Sequence, residues 1–167
     1  NLGETAEGNT RLAARYLRKP FSVDKKIKRA ILYISGLGAY EAFVNDNRAS
    51  DDVLAPTVSW YPEKVYYNVY DVTSLLNNKE NVLAVKLGNG RYFGMRQSDT
   101  QVFGLPRLLA QINIEFTDGT KDVVISDESW KVTSMGPVVA NNEFDGEEYD
   151  ARKELTDWNK WNFDDSS

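Results

Sequence analysis

Short segments in which apolar and polar residues alternate, separated by turn residues, run along most of this chain. In the clearest one, 108–116, every second residue is apolar: Leu108, Ala110, Ile112, Ile114 and Phe116. Successive side chains of a strand point to opposite faces of a sheet, so this period of two predicts a strand with one face in the core. No segment sustains the 3.6-residue period of a helix. The pattern therefore predicts an all-β fold, an antiparallel β-sandwich of jelly-roll or galactose-binding type.

The other predicted strands are short and bounded by Gly, Asn, Asp or Pro. They are 14–21, 27–34, 40–45, 64–72, 81–87, 121–126, 130–134 and 138–144. Tight turns are predicted at 45–47 and 118–119, a helical turn at 71–76, and an acidic turn at 145–149. Pro20 should lie at an edge or an end of its strand, because proline has no N–H to donate. Segment 27–34 is apolar on both faces, which predicts that both faces are buried at its centre.

Composition excludes several classes of function. The 167 residues suit one domain, and the net charge of −5 argues against nucleic acid and anionic membranes as partners. The chain has no Cys and no His, so it holds no Ser-His-Asp triad, no Cys-His pair and no His-ligated zinc. No apolar run reaches the roughly 20 residues that span a bilayer. The first residue is Asn rather than Met, and we interpret the chain as a piece of a longer protein.

Six stretches, taken in order, carry a resemblance to a known family. They are 14–21 (ARYLRKPF), 29–41 (RAILYISGLGAYE), 52–56 (DVLAP), 67–73 (YNVYDVT), 87–90 (LGNG) and 146–152 (GEEYDAR). Together they are similar to the N-terminal domain of bacterial α-L-rhamnosidases. The resemblance implies a β-sandwich in front of a helical-barrel catalytic domain that hydrolyses terminal α-L-rhamnosides with inversion. It also implies a periplasmic or secreted protein.

The resemblance sets the expected organisation and function. Residues 1–13 are expected to be a polar N-terminal segment, 14–152 the sandwich, and 153–167 a linker toward a catalytic domain outside this chain. The first hypothesis is a non-catalytic accessory domain that packs on the catalytic domain of the same polypeptide. The alternatives are an autonomous module that binds L-rhamnose in glycans and, third, a small enzyme.

Aromatic and amide groups supply a candidate carbohydrate site. Sugar sites combine an aromatic platform with a few polar groups, and five residues offer both: Trp60, Tyr61, Asn89, Arg91 and Tyr92. A β-sandwich rich in Trp and Tyr uses most of them in packing, so packing is the favoured interpretation for Trp60.

Calcium is the metal ion that the resemblance suggests for this chain. Some domains of this type are similar to calcium-dependent rhamnose-binding modules, with an Asp-Asn pair just before the tyrosine that matches Tyr40. Leu37 and Gly38 stand there in this chain. The remaining oxygen ligands would be Asp52 and Asn89, fewer than the six to eight that calcium prefers. No cofactor is therefore expected, and rhamnose binding should be weak or absent.

Four acidic residues lie close together near the end of the predicted sandwich: Asp145, Glu147, Glu148 and Asp150. Inverting glycosidases use two separated carboxyl groups, so this cluster is the place to look for catalysis. A solvated turn explains it more simply, and we expect no catalytic residue in the chain. Glu147, Asp150 and Arg152 are instead expected at an interdomain boundary, with Arg152 held by the Asp150 carboxylate.

Overall fold

The structure is a computed structural model that describes residues 2, 4, 11–94 and 101–166. The alternating segments form strands, with a single 3₁₀ turn at each of Thr73–Leu75 and Ala151–Lys153. In chain order the strands are β1 (Arg15–Ser22), β2 (Ile27–Leu37), β3 (Ala39–Val44), β4 (Asn47–Arg48), β5 (Asn68–Asp71), β6 (Glu80–Gly88), β7 (Phe93–Gly94), β8 (Gln101–Val102), β9 (Arg107–Phe116), β10 (Lys121–Ile125), β11 (Lys131–Thr133), β12 (Val138–Asn142) and β13 (Gly146–Tyr149).

Two antiparallel sheets pack face to face. The five-stranded sheet has the order β11-β1-β6-β3-β4, and the four-stranded sheet has the order β10-β9-β2-β5. One core cluster joins them, with Leu83 and Val85 from the first sheet and Leu32 and Ile112 from the second. The all-β sandwich predicted from the sequence is confirmed.

Strand β9 shows why the alternation predicts the fold. Ala110, Ile112 and Ile114 are almost fully buried, and Phe116 is nearly so, while Gln111 faces solvent. The predicted core face of 108–116 is confirmed, with Leu108 only partly buried at its end.

The two tight turns predicted at 45–47 and 118–119 and the position of Pro20 are confirmed. Asn45 and Asp46 have φ values of 50° and 72° in the tight hairpin between β3 and β4. Gly119 has a φ of 84° between β9 and β10. Strand β11 pairs with β1 only at residues 16–18, so Pro20 pairs with β6 on one side and needs no N–H on the other.

Two predicted boundaries are wrong. In 64–72 only Asn68–Asp71 pairs with β2, and just beyond it the Ser35 hydroxyl donates to the Tyr66 carbonyl (2.7 Å) in place of a ladder bond. In 145–149, Gly146–Tyr149 is a strand paired with β12. The turn lies earlier because Asn142 Oδ1 accepts the backbone N–H groups of Phe144 (2.8 Å) and Asp145 (2.7 Å).

The burial predicted for both faces of 27–34 is also wrong for this chain. Ala30, Leu32 and Ile34 are buried in the core, whereas Tyr33 on the outer face is 37% exposed. Ile31 on that same face is only partly buried. None of the described residues forms a layer over the centre of this outer face.

The outer face of the five-stranded sheet is covered by the chain itself. The Trp158 ring packs edge-on against Tyr16 (5.0 Å between centroids) and Phe43 (5.9 Å). The Arg18 guanidinium donates to the carbonyls of Trp158 (3.1 Å) and Lys160 (2.8 Å), and its other hydrogen bonds reach Trp161, Phe163 and the Asp165 carboxylate. Most of the segment predicted as a linker, 153–167, is thus held on the sandwich.

Candidate functional site

A pocket of about 500 Å³ opens where β6 ends at Gly88 and several connecting segments meet. Its wall combines two tyrosines, Tyr40 and Tyr61, with charged groups and exposed aliphatic side chains. Its polar and charged side chains include Tyr61, Arg91, Glu41, Lys86, Glu143 and Glu147. Val53, Leu54 and Val58 form an apolar rim.

The backbone at the mouth of the pocket requires glycine at position 38. Gly38 has a φ of 139°, and a Cβ there would lie 2.2 Å from the carbonyl oxygen of Gly88. Next to it, the backbone N–H of Tyr40 donates to the carbonyl of Ala55 (2.7 Å), which draws the 49–61 loop to the pocket. An amide side chain at position 38 is therefore incompatible with this backbone, which is the structural counterpart of the Leu37-Gly38 departure.

Four charged groups of the pocket form two ion pairs. Arg91 makes a bidentate ion pair with Glu143, at 2.7 and 2.8 Å. Glu41 accepts from Lys86 (2.6 Å) and from Arg48 (3.1 Å). Both carboxylates are therefore engaged by cations of this chain, which leaves them less available to contact a substrate.

Three of the predicted carbohydrate residues meet in an aromatic cluster. Tyr61 contacts Tyr92 (5.0 Å between centroids) and Phe103 (5.2 Å), and Trp60 lies edge-on to Phe103 (6.2 Å). Tyr92 is buried and donates its hydroxyl to the Phe103 carbonyl (3.3 Å), so its ring is a packing element. Trp60 remains 58% exposed, which leaves most of its ring facing solvent.

Tyr61 is the ring of this cluster that reaches the pocket. Burial raises the pKa of its hydroxyl, and the nearby Glu143 carboxylate raises it further, while Arg91 opposes both. The Tyr61 hydroxyl is therefore neutral at physiological pH and offers both a donor and an acceptor.

Asn89 lies in the interior and does not line the pocket. Its side chain is fully buried and accepts from Arg15 Nη1 (2.8 Å). Its Nδ2 donates to the carbonyls of Leu12 (2.7 Å) and Asn141 (2.7 Å). These bonds use the groups that a sugar or a metal would need, so the structure places Asn89 in a buried structural network.

Asp52 lies on the surface, apart from the buried Asn89. Its carboxylate accepts from the hydroxyl of Tyr70 (2.9 Å), which in turn is 3.3 Å from the hydroxyl of Tyr40. Burial raises the pKa of both tyrosines. Asp52 and Asn89 have no hydrogen-bonding partner in common. Within the described ranges, no group of three or more acidic residues is close enough to hold a metal ion.

The acidic residues near the end of the sandwich do not act as one group. Glu147 lines the pocket, and Glu148 pairs with Arg11. Arg152 binds both oxygens of Asp150 at 2.8 Å, which lowers the pKa of that carboxyl. The backbone N–H of Asp150 donates to the carbonyl of Pro137 (2.8 Å), so this ion pair lies where the chain leaves the last strand.

Sequence reasoning missed Glu143, Lys86 and Phe103. Arg91 and Glu143 are 52 residues apart, and such a pair leaves no local pattern. The alternation of β6 places Lys86 opposite Glu41 once the register is known, and register is a property of the folded sheet.

Comparison with known proteins shows which family the chain resembles. A family model described as the α-L-rhamnosidase N-terminal domain matches residues 25–167. An α-L-rhamnosidase of Formosa agariphila is 42% identical over 163 residues, which cover 93% of this chain and 17% of that relative.

Solved structures of α-L-rhamnosidases also match this chain. The crystal structure of Streptomyces avermitilis α-L-rhamnosidase complexed with L-rhamnose matches with a TM-score of 0.88 and 40% identity, over 94% of this chain and 16% of that one. The crystal structure of the Aspergillus terreus α-L-rhamnosidase matches with a TM-score of 0.90 and 37% identity, over 98% of this chain and 19% of that one. The chain thus spans less than a fifth of the length of these relatives.

Proposed function

The chain belongs to the family of α-L-rhamnosidase N-terminal domains, and on that premise we propose that it is a non-catalytic accessory domain of a longer polypeptide that hydrolyses terminal α-L-rhamnosides. The observation that carries the proposal is the coverage of its relatives. More than nine-tenths of this chain matches, but only 17% of the Formosa agariphila enzyme is accounted for. Most of such an enzyme, with room for a separate catalytic domain, lies outside the matched part.

The chemistry of the pocket supports a non-catalytic role. An inverting glycosidase needs one carboxylic acid to protonate the leaving group and one carboxylate to activate water. Glu41, Glu143 and Asp150 are all held in ion pairs, the last of them with Arg152. Glu147 alone cannot supply both functions. The proposed partner is the catalytic domain of the same polypeptide.

Activity measurements on two proteins test the proposal. The isolated chain should release no product from an aryl α-L-rhamnoside, whereas the complete parent polypeptide should turn it over. The decisive variant is Glu147→Gln, with the exposed Glu128→Gln as its matched control. Turnover by the isolated chain that Glu147→Gln abolishes and Glu128→Gln preserves would make this domain an enzyme and refute the proposal.

A further inference from the structure

The outer face of the four-stranded sheet carries an apolar surface that water-facing sheets usually lack. Six outward-pointing apolar side chains from β2, β5, β9 and β10 lie on this face, and we call the surface that they form the open face. They are Ile31, Tyr33, Val69, Leu109, Val123 and Ile125. Leu109 is 69% exposed and Val123 is 50% exposed. An antiparallel sheet with one solvated face normally places polar residues there.

The register places these side chains on one face of the sheet. Ile31, Tyr33 and Val69 lie on β2 and β5, Val123 and Ile125 lie on β10, and the amides Gln111 and Asn113 of β9 lie between the two groups. Tyr33 is paired with Val69 on one side and with Gln111 on the other, and Gln111 is paired with Ile125. Directly paired residues of antiparallel strands share a face, with Cβ atoms roughly 5 Å apart. The Tyr67 ring extends the patch, with its centroid 6.3 Å from that of Tyr33.

Charges lie at the margin of the patch, including the exposed Asp71 on the edge strand β5, which is paired with Ile31. Arg29, Glu115 and Lys121 form a row across one end of the sheet, and Glu115 is paired with Lys28 (2.6 Å). The central polar groups are two amides, with Gln111 donating to Asn113 (2.7 Å). The centre of the patch thus lacks charged residues, as the centres of protein–protein interfaces do.

The two sheets of the sandwich differ in how their outer faces are treated. The five-stranded sheet is covered by the chain's own C-terminal segment, through Trp158 and the Arg18 guanidinium. The open face has no such cover among the described residues. The sequence of 27–34, apolar on both sides, nevertheless has the pattern of a strand buried on both faces.

We propose that the open face is the surface on which this domain docks against the rest of its parent polypeptide. The inference rests on the proposed function and specifies the contact surface for it. The matched relatives have most of their length outside the part that this chain covers. A tethered neighbour has an effective concentration of roughly millimolar, so a modest apolar patch is enough to hold it.

Two other occupants fit the open face less well. A glycan would need several free hydrogen-bonding groups beside the rings, whereas the central amides bind each other. A second copy of the chain would bury the same patch, but it would do so in the isolated domain and depend on concentration.

Cysteine labelling tests the proposal directly, because the natural chain has no Cys. Leu109→Cys and Val123→Cys report on the open face, and Met135→Cys is the control, since Met135 is 77% exposed outside it. Each variant is labelled with a maleimide in the isolated chain and in a parent polypeptide whose own cysteines are replaced. Positions 109 and 123 should react at least about tenfold more slowly in the parent, while position 135 should react equally in both.

The possible outcomes separate the alternatives. Equal labelling at all three positions in both proteins overturns the proposal. Protection in the isolated chain that grows with its concentration identifies a second copy, and protection in the parent only after a rhamnoside is added identifies a glycan; both also overturn it.

A second measurement tests the proposed function separately. The domain and the remainder of the parent are expressed as separate chains and examined for co-elution by gel filtration. Co-elution without protection of positions 109 and 123 refutes this face but leaves the accessory role standing. If the two chains do not co-elute and positions 109 and 123 are not protected, packing of the domain on the rest of the parent is refuted as a whole.

Discussion

Gly38 and Asn89 show how single residues determine which predicted ligands reach the pocket. At Gly38 any side chain would meet the Gly88 carbonyl, so the backbone itself excludes an amide ligand there. At Asn89 the amide is present, but it is turned into the interior, where it accepts from Arg15 and donates to two carbonyls. The sequence motif around Asn89 is therefore explained by folding, with no ligand needed.

The buried network predicts a large loss of stability when Asn89 is removed. Asn89→Ala removes one buried hydrogen bond from the guanidinium of Arg15 and one from each of the carbonyls of Leu12 and Asn141. Arg15 keeps its ion pair with Glu4, and the Leu12 carbonyl keeps its bond from Asn141 Nδ2. We expect the free energy of unfolding to fall by at least about 2 kcal/mol, because unsatisfied buried polar groups cost more than an ordinary hydrogen bond contributes.

Denaturant unfolding of the isolated chain measures this loss. The matched control is Gln111→Ala, which removes an exposed amide and should change stability by no more than about 0.5 kcal/mol. If the two variants were equally stable, the Asn89 side chain would not be held in the interior, and its role as a ligand would have to be reconsidered.

Among the elements, alternation predicts strands well only where one face is apolar. Strand β9 was predicted almost to the residue because its buried side chains recur at every second position. Strand β13 was missed because Gly146, Glu147, Glu148 and Tyr149 are all exposed and carry no apolar period. Its pairing with β12 depends on backbone bonds and on the Asn142 turn, which local composition does not reveal.

The candidate site was predicted in its residue types more than in its geometry. Tyr61 and Arg91 do line the pocket, but their neighbour Glu143 comes from a distant part of the chain. Contacts between segments far apart in sequence depend on the topology of the sheets, and no short pattern encodes them.

The C-terminal segment gives a prediction at the level of an element. Arg18 donates from one planar guanidinium to several carbonyls of residues 158–163, a geometry that an ammonium cannot reproduce. Arg18→Met should release the segment, and Arg18→Lys should fail to restore it. We expect trypsin to cleave after Lys160 at least about tenfold faster in both variants, because cleavage follows the population of the opened segment.

Arg107→Met is the control for this experiment, since Arg107 is an exposed arginine at the start of β9. It should leave the cleavage rate at Lys160 unchanged. If Arg18→Lys protected Lys160 as well as the natural residue does, charge alone and not the planar geometry would hold the segment.

For the whole molecule, the distribution of apolar and charged groups separates docking from sugar binding. Exposed apolar side chains lie on the open face and at the rim of the pocket, whereas four charged groups of the pocket are bound to one another in two ion pairs. A sugar entering the pocket would have to compete with the ion pairs Arg91–Glu143 and Lys86–Glu41 for each hydrogen bond. Such competition reduces the net gain from every contact.

We therefore predict that the isolated chain binds L-rhamnose with a Kd above about 1 mM, both in calcium and in chelator. A Kd of about 1 mM corresponds to a binding free energy of about 4 kcal/mol. Tyr61 and the exposed Trp60 can stack on a sugar ring, but stacking without directed hydrogen bonds discriminates poorly among sugars. Titration calorimetry measures both conditions, with Arg91→Met as the variant that opens the Glu143 pair and Arg107→Met as its control outside the pocket. Calcium-dependent binding tighter than this limit, lost in Arg91→Met and kept in Arg107→Met, would show that the pocket is a sugar site and that an autonomous binding module describes this domain better than a docking domain does.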